Sequence, residues 1–209
     1  MSTGRAEAFS DGVFAVAITV LVFGLLPIGR GDLDAPILLK AWPEYFAYVV
    51  SFLTIGIMWM NHHTILAHVA RVDRPLLVLN LLLLMGIVAI PFPTALVAEH
   101  LRHPGGTVAT VTYGLVMIAI SAGFAGLWVY VATHAPALGA TVPPEALRRT
   151  IPGWTLGGAA YAAGTLIAAY VSAVAGMVIF GALAVYYLFE HLPSPAEDAP
   201  GSSAPEPGP

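Results

Sequence analysis

Two short stretches hold most of the polar chemistry of an otherwise apolar chain. The first, Arg5-Ala-Glu-Ala-Phe9-Ser10-Asp11-Gly12, leads into an apolar run from Val13 to Leu26 that only Thr19 and Gly24 interrupt. The second is Trp59-Met-Asn61-His62-His63, with His68 beyond it. A carboxylate at the mouth of a hydrocarbon-length helix is costly, about 2.5–3.5 kcal/mol for Asp at a helix centre. Such a group persists where protein or water neutralises it, so this first helix is expected to face other helices and to line an ion pathway. Two readings of Asp11 follow. It can accept a hydrogen bond from the Trp59 indole N–H, from Asn61 or from a histidine N–H, tying both clusters into one knot. Alternatively it caps the positive end of its own helix, worth about 0.3–1 kcal/mol when exposed, while the tryptophan and histidines rest at headgroup depth.

Other chemistries fit these residues less well. His62, His63 and His68 stand at i, i+1 and i+6. They lack the i, i+4 spacing that puts two ligands on one helical face, and adjacent residues point about 100° apart. No metal centre is expected from them. Arg5 and Asp11 lie on different faces of a continuous helix and are not an ion pair. Arg5 reads as an anchor to headgroups or to a neighbouring element. The chain has no cysteine, which removes disulfides, thiolate ligands and cysteine nucleophiles.

The elements that position these groups are membrane helices. Only 10% of the 209 residues are charged, against roughly 25% in a soluble domain, and the mean hydropathy is +0.82. Crossing the hydrocarbon takes roughly 20 apolar residues as helix. Six stretches qualify, about 8–28, 43–65, 75–98, 106–132, 152–171 and 173–191. The expected fold is an all-α membrane protein with six transmembrane helices in residues 1–192. A tight hairpin at Ser172 joins the last two, and Ala146–Arg149 forms a short interfacial helix. Residues 193–209 are Pro, Ser, Ala, Gly and acid with no apolar face, and are expected to be disordered. They hold Glu197, Asp198 and Glu206, so the net charge of −4 overstates the acidity of the remainder. No basic run points to nucleic acid. Glu7 and Asp11 before the first apolar run, and the lack of a small-residue cleavage site after it, argue against a signal peptide.

A cytoplasmic N-terminus places Arg5, Arg71, Arg74, Arg148 and Arg149 inside, against Arg30, Lys40 and Arg102 outside. That is the positive-inside direction, and six spans return the C-terminus to the cytoplasmic face of the cell membrane. No Lys, Arg, Asp or Glu falls at mid-depth of any span. This counts against proton- or sodium-coupled transport and suits uncoupled conduction along an apolar or hydroxyl-lined route. Gly153-x-x-x-Gly157 reads as a face for close helix packing, and Asn80, Thr54 and Ser121 as interhelical hydrogen bonds.

Arg5-x-x-x-Phe9-Ser10-Asp11, opening the first of six spans, resembles the R-x-x-x-F-S-D motif of the transmembrane protein 175 family of potassium channels. The Trp59…His62-His63 cluster looks like that family's second-span signature. One departure is the bulky Phe14 just after the motif. The resemblance covers about residues 1–192. The animal members are similar to two such units fused, whereas this chain has one motif and no internal repeat. The resemblance therefore implies a homotetramer in membrane lipid, with four first helices around a central pore. It implies a passive, potassium-permeable channel and no enzyme, with potassium as the permeant ion and no cofactor. The family lacks the Thr-Val-Gly-Tyr-Gly filter of other potassium channels, and none occurs here.

Counting from Asp11, the implied pore constriction is Val16, Val20 and Phe23, with Thr19 as the selectivity position. The implied motif and gating network is Arg5, Phe9, Ser10 and Asp11 with Trp59, Asn61, His62 and His63. Helix arithmetic is compatible: Val16, Val20 and Phe23 share a face at i, i+4, i+7. At 1.5 Å per residue Val16 stands roughly 16 Å above Arg5, near mid-membrane. Rival readings are a proton-leak channel, a membrane metalloenzyme using His62, His63 and His68, and a scaffold without transport.

Overall fold

The computed structural model describes residues 2–29 and 34–189. The first helix, α1, runs Thr3–Val20 and tightens into a 3-10 helix over Leu21–Gly29. It is followed by α2 (Ala35–Lys40), α3 (Trp42–Ala67), α4 (Arg74–Ala89), α5 (Pro91–His100), α6 (Gly106–Leu138), α7 (Pro144–Arg149), α8 (Ile151–Tyr170) and α9 (Ala173–Phe189). By length and composition, Thr3–Leu26, Trp42–Ala67, Arg74–His100 and Gly106–Leu138 can each cross a membrane. The α9 segment is apolar but shorter, and α8 dilutes its apolar content with Gly, Ala and Tyr. The proposed tail, 193–209, lies outside the described residues.

Local chemistry sets most helix ends. Asp34 and Asp73 cap α2 and α4 by accepting the N–H of Ile37 and Leu76, and each helix carries Pro in its first turn, where no N–H is needed. Gly105 (φ +104°) precedes α6 and Gly139 (φ +61°) ends it, both left-handed positions that glycine tolerates. Two boundaries differ from expectation. The first helix starts at Thr3 because the Thr3 hydroxyl donates to the Val69 carbonyl (3.1 Å) and pins the N-terminus to the α3–α4 turn. The fourth helix kinks at His134, which leaves helical geometry (φ −111°, ψ 17°) two residues before Pro136, and a short further segment runs on to Leu138. The hairpin between α8 and α9 forms at Val171–Ser172 as expected.

The core gathers around α6, which packs against α4, α5, α8 and α9. Trp128, Tyr113 and Met117 are fully buried on it. A Cβ on Gly114 would collide with the Thr165 hydroxyl, so α6 and α8 approach there in a way only glycine allows. The Pro91 break between α4 and α5 is met by a buried hydroxyl chain. Tyr113 donates to Ser51 (3.1 Å), Ser51 to Thr94 (2.8 Å), and Thr94 to the Ile90 carbonyl (2.8 Å). Trp128 stacks on Trp154 at 5.0 Å and donates to Thr150 Oγ1 (3.0 Å) and the Leu147 carbonyl (3.2 Å), seating α7.

One end of the bundle is tied across elements. Ala70 and Arg71 N–H donate to the Leu138 carbonyl and Thr141 N–H to the His68 carbonyl. The start of α1, the α3–α4 turn and the α6–α7 turn therefore share that end. Asp73 belongs to it, taking Leu76 N–H on Oδ1 (3.0 Å) and the Tyr130 hydroxyl on Oδ2 (2.7 Å). Desolvation pushes its carboxyl upward, but the Tyr130 and Leu76 hydrogen bonds outweigh it and hold it below the usual carboxylate range. A depressed folded value means the stabilisation is full above the unfolded value of about 4 and fades as pH falls through the lower one. Asp73→Ala is expected to cost about 1–2 kcal/mol at neutral pH. Thermal unfolding in detergent checks it, the gap to wild type narrowing below about pH 4.

Candidate functional site

The first helix has two unlike faces. Ala6, Ser10, Phe14, Ala17 and Leu21 are buried against the bundle. On the other side Phe9 (55% exposed), Val16 (58%) and Phe23 (62%) form an outward stripe spaced by seven residues, joined by exposed Thr19, Val22 and Leu26. This stripe carries no titratable group. Its one polar side chain is Thr19, whose hydroxyl donates to the Val16 carbonyl (2.9 Å). With its hydrogen committed to its own helix, that oxygen offers only lone pairs outward, the polarity a cation needs.

The buried side is held by polar contacts in two layers. Helices α1 and α3 run antiparallel, so an i, i+4 step on one meets an i, i+4 step on the other. Trp59 Nε1–H donates to Asp11 Oδ1 at 2.8 Å, and His63 Nδ1–H donates to Glu7 Oε1 at 2.6 Å. These two rungs are exposed to intermediate in burial. Deeper in, His62 Nε2–H donates to Asn80 Oδ1 (2.7 Å), Asn80 Nδ2–H to Ser10 Oγ (3.0 Å), and the Ser10 hydroxyl to the Ala6 carbonyl (2.9 Å). Ser10 and His62 are fully buried and Asn80 is 4% exposed. The Phe14 ring lies tilted against His62 at 5.4 Å between centroids. The bulky residue after the motif therefore packs into the bundle and stays off the outward stripe.

Ser10, Asp11, Trp59, His62 and His63 thus come together, and three other residues of the expected network do not. Phe9 lies on the outward stripe, one heptad below Val16. Arg5 is exposed and makes no ion pair among the described residues. Asn61 points into a cleft between α3, α6, α8 and α9. Glu7 and Asn80 complete the lock. Asn80 was anticipated only as an interhelical hydrogen bond, and Glu7 had one signal, its position four residues before Asp11 on the same face.

The residues expected at the constriction also divide. Val16 and Phe23 face outward, whereas Val20 is half-buried and lines a small cavity of about 20 Å³ with Glu44 and Thr94. From Leu21 onward the 3-10 geometry replaces the expected α-helical spacing. At three residues per turn Phe23 and Leu26 eclipse one another. The three histidines of the metal reading have separate partners. His62 bonds Asn80, His63 bonds Glu7, and His68 donates from Nδ1 to the Thr64 carbonyl (2.6 Å) with its ring edge-on to Trp128.

The profile of the family described as endosomal/lysosomal potassium channel TMEM175 matches residues 5–91. A potassium channel of Streptomyces collinus is 44% identical over 207 residues, covering 96% of this chain and 98% of the relative. A crystal structure of a lysosomal potassium-selective channel TMEM175 homolog from Chamaesiphon minutus superposes with a TM-score of 0.75 at 35% identity, covering 89% of this chain and 96% of that one. The human endosomal/lysosomal proton channel TMEM175 is 29% identical over 146 residues, covering 64% of this chain and 29% of the relative.

Proposed function

Because the chain belongs to the TMEM175 family, we propose that it is a potassium-permeable channel that conducts passively through a pore lined by its first helix. It is a multi-pass membrane protein and not an enzyme. The observation that carries the pore reading is the division of α1 into an outward apolar stripe at Phe9, Val16 and Phe23 and a rear tied by polar hydrogen bonds to α3 and α4. A helix locked from behind is free to meet copies of itself in front. Four copies around an axis make a closed ring of Val16 side chains, which bars hydrated ions by dewetting. Thr19 oxygens replace part of the potassium hydration shell one turn above it. The 3-10 segment from Leu21, whose hydrogen-bond geometry is poorer than that of an α-helix, supplies the flexibility for opening at the far end of the span.

Six spans in residues 1–192, both termini cytoplasmic in the cell membrane, and no resident cofactor complete the reading. It is supported by the shared end that brings Arg71, Arg148 and Arg149 toward the start of α1, while Arg102 approaches Trp42 at the other. A proton pathway is the second reading, suggested by the name of the human relative. A reversal potential that follows the potassium gradient at fixed pH separates the two.

The chain has no native cysteine, so a single Val16→Cys variant reports its own neighbours. Mild oxidation in membranes is expected to give a covalent dimer, because a disulfide needs Cα atoms within about 7 Å. The same test at exposed Leu81 on α4 is expected to give none. Cross-linking at Leu81 and not at Val16 would place the stripe away from the axis and sink the pore assignment.

A further inference from the structure

The cleft between α3, α6, α8 and α9 has no part in the conduction reading. Its walls are aromatic, with Phe124, Trp154 and Tyr161 facing Asn61 and Ser121, and no Asp, Glu, Lys, Arg or His lines it among the described residues. Gly153 and Gly157 of the small-residue face both line this space. A Cβ on Gly157 would meet only Tyr187, 3.4 Å from its hydroxyl. The cavity is about 70 Å³, room for a small polar head and the first carbons beside it, and one side is open. Asn61 is half-buried, and no hydrogen bond among the described residues engages its amide or the Ser121 hydroxyl. Trp154 is 6% exposed, and its Nε1–H has no partner among the described residues.

We propose that this cleft is a binding site for a neutral amphiphile bearing a hydroxyl head, whose chain leaves through the open side. The absence of any lining charge disfavours an ionic headgroup, which would be desolvated without a counter-ion. A hydroxyl both donates and accepts, as the idle Asn61 amide and Ser121 hydroxyl require. The enclosed volume fits a hydroxyl and the carbon or two next to it, and the aromatic walls suit the methylenes beyond. Exposed Leu156 on α8 and Val185 on α9, two of the four helices that border the cleft, offer apolar surface for the rest of the chain. The site stands whether or not the protein conducts.

The probe is 1-octanol carrying a diazirine on its third carbon, photolysed with the full-length protein in proteoliposomes, with adducts mapped by mass spectrometry. Adducts are expected on Tyr161, Tyr187 or Asn61, and excess plain octanol should compete them away while octane should not. Asn61→Leu, which removes the amide at similar volume, is expected to cut labelling about tenfold, the loss of one buried hydrogen bond. Gly157→Leu is expected to abolish it by filling the space. Should that variant fail to fold, Gly157→Ala gives the same direction at smaller amplitude, its methyl making ordinary contact with Tyr187. Adducts scattered over exposed positions such as Leu81 and Val178, or equal competition by octane, would mean partition into lipid only and overturn the proposal. So would labelling that appears only in dissociated monomers, which would make a second copy the occupant.

Discussion

Val16→Asn is expected to raise potassium efflux from proteoliposomes at least tenfold over wild type at equal protein density. The closed ring is a barrier because water cannot hydrogen-bond to four valine side chains, so the passage empties and an ion would cross it bare. Asparagine has nearly the same reach and presents an amide. Each net hydrogen bond to water is worth about 0.5–1.5 kcal/mol, so four bring about 2–6 kcal/mol toward the wetted state. Each 1.36 kcal/mol off a barrier is tenfold in rate, so the low end, about 2 kcal/mol, is about thirtyfold, and tenfold is a floor that allows for part of the gain being lost. The same change at Leu81, 52% exposed on α4 and away from the stripe, is expected to leave flux at the wild-type level. Equal flux in wild type and Val16→Asn would remove Val16 from the narrowest point, and a rise with both variants would report general leakiness.

How much of this arrangement can be read from residues alone depends on whether the deciding interaction is local. Asp34, Asp73, Gly105 and Gly139 mark their helix ends with chemistry that acts within a few residues, and the apolar lengths announce membrane helices outright. The 3-10 segment after Val20 has no such mark. Its residues are as apolar as those before it, and Gly24 with Pro27 permits tightening without requiring it. The polar lock lies between these cases. An acid at the mouth of an apolar helix demands donors, and Trp59, Asn61 and the histidines were all close enough by count. What separates them is the 100° step. Trp59 and His63 share one face, which meets α1 as a pair of rungs. His62 turns inward to Asn80, and Asn61, two residues from Trp59, turns away to a different cleft. Phe9 was equally legible in principle, since 9, 16 and 23 form a heptad. In a helix that is apolar all round, however, periodicity cannot say which stripe stays outward.

Asn80→Leu is expected to be the most damaging single change in the lock, costing about 2–4 kcal/mol and most of the assembled protein. Asn80 serves two fully buried partners at once, accepting from His62 Nε2 and donating to Ser10 Oγ. A leucine of similar volume keeps the packing but strands the imidazole N–H, and an unsatisfied buried donor costs about 1–3 kcal/mol. Ser10 keeps its own donation to the Ala6 carbonyl, so it loses one bond and is not orphaned. Asp11→Ala removes a contact whose partner, Trp59, is 44% exposed. The freed indole N–H can turn to water, so the cost there is about 1 kcal/mol. The ranking is therefore Asn80→Leu well below Asp11→Ala, with wild type highest, in melting temperature and in the yield of the oligomer on size exclusion. A structural role in α4 alone would lower both readouts in the single variant, but it would leave no coupling between sites. The double variant Ser10→Ala with Asn80→Leu distinguishes them. If the hydrogen bond between these two residues holds α1 in register against α4, the double variant loses less than the two single losses added together. Strict additivity would show that the deep chain does not act as a unit, and the outer rungs at Asp11 and Glu7 would then be the main tether of the first helix.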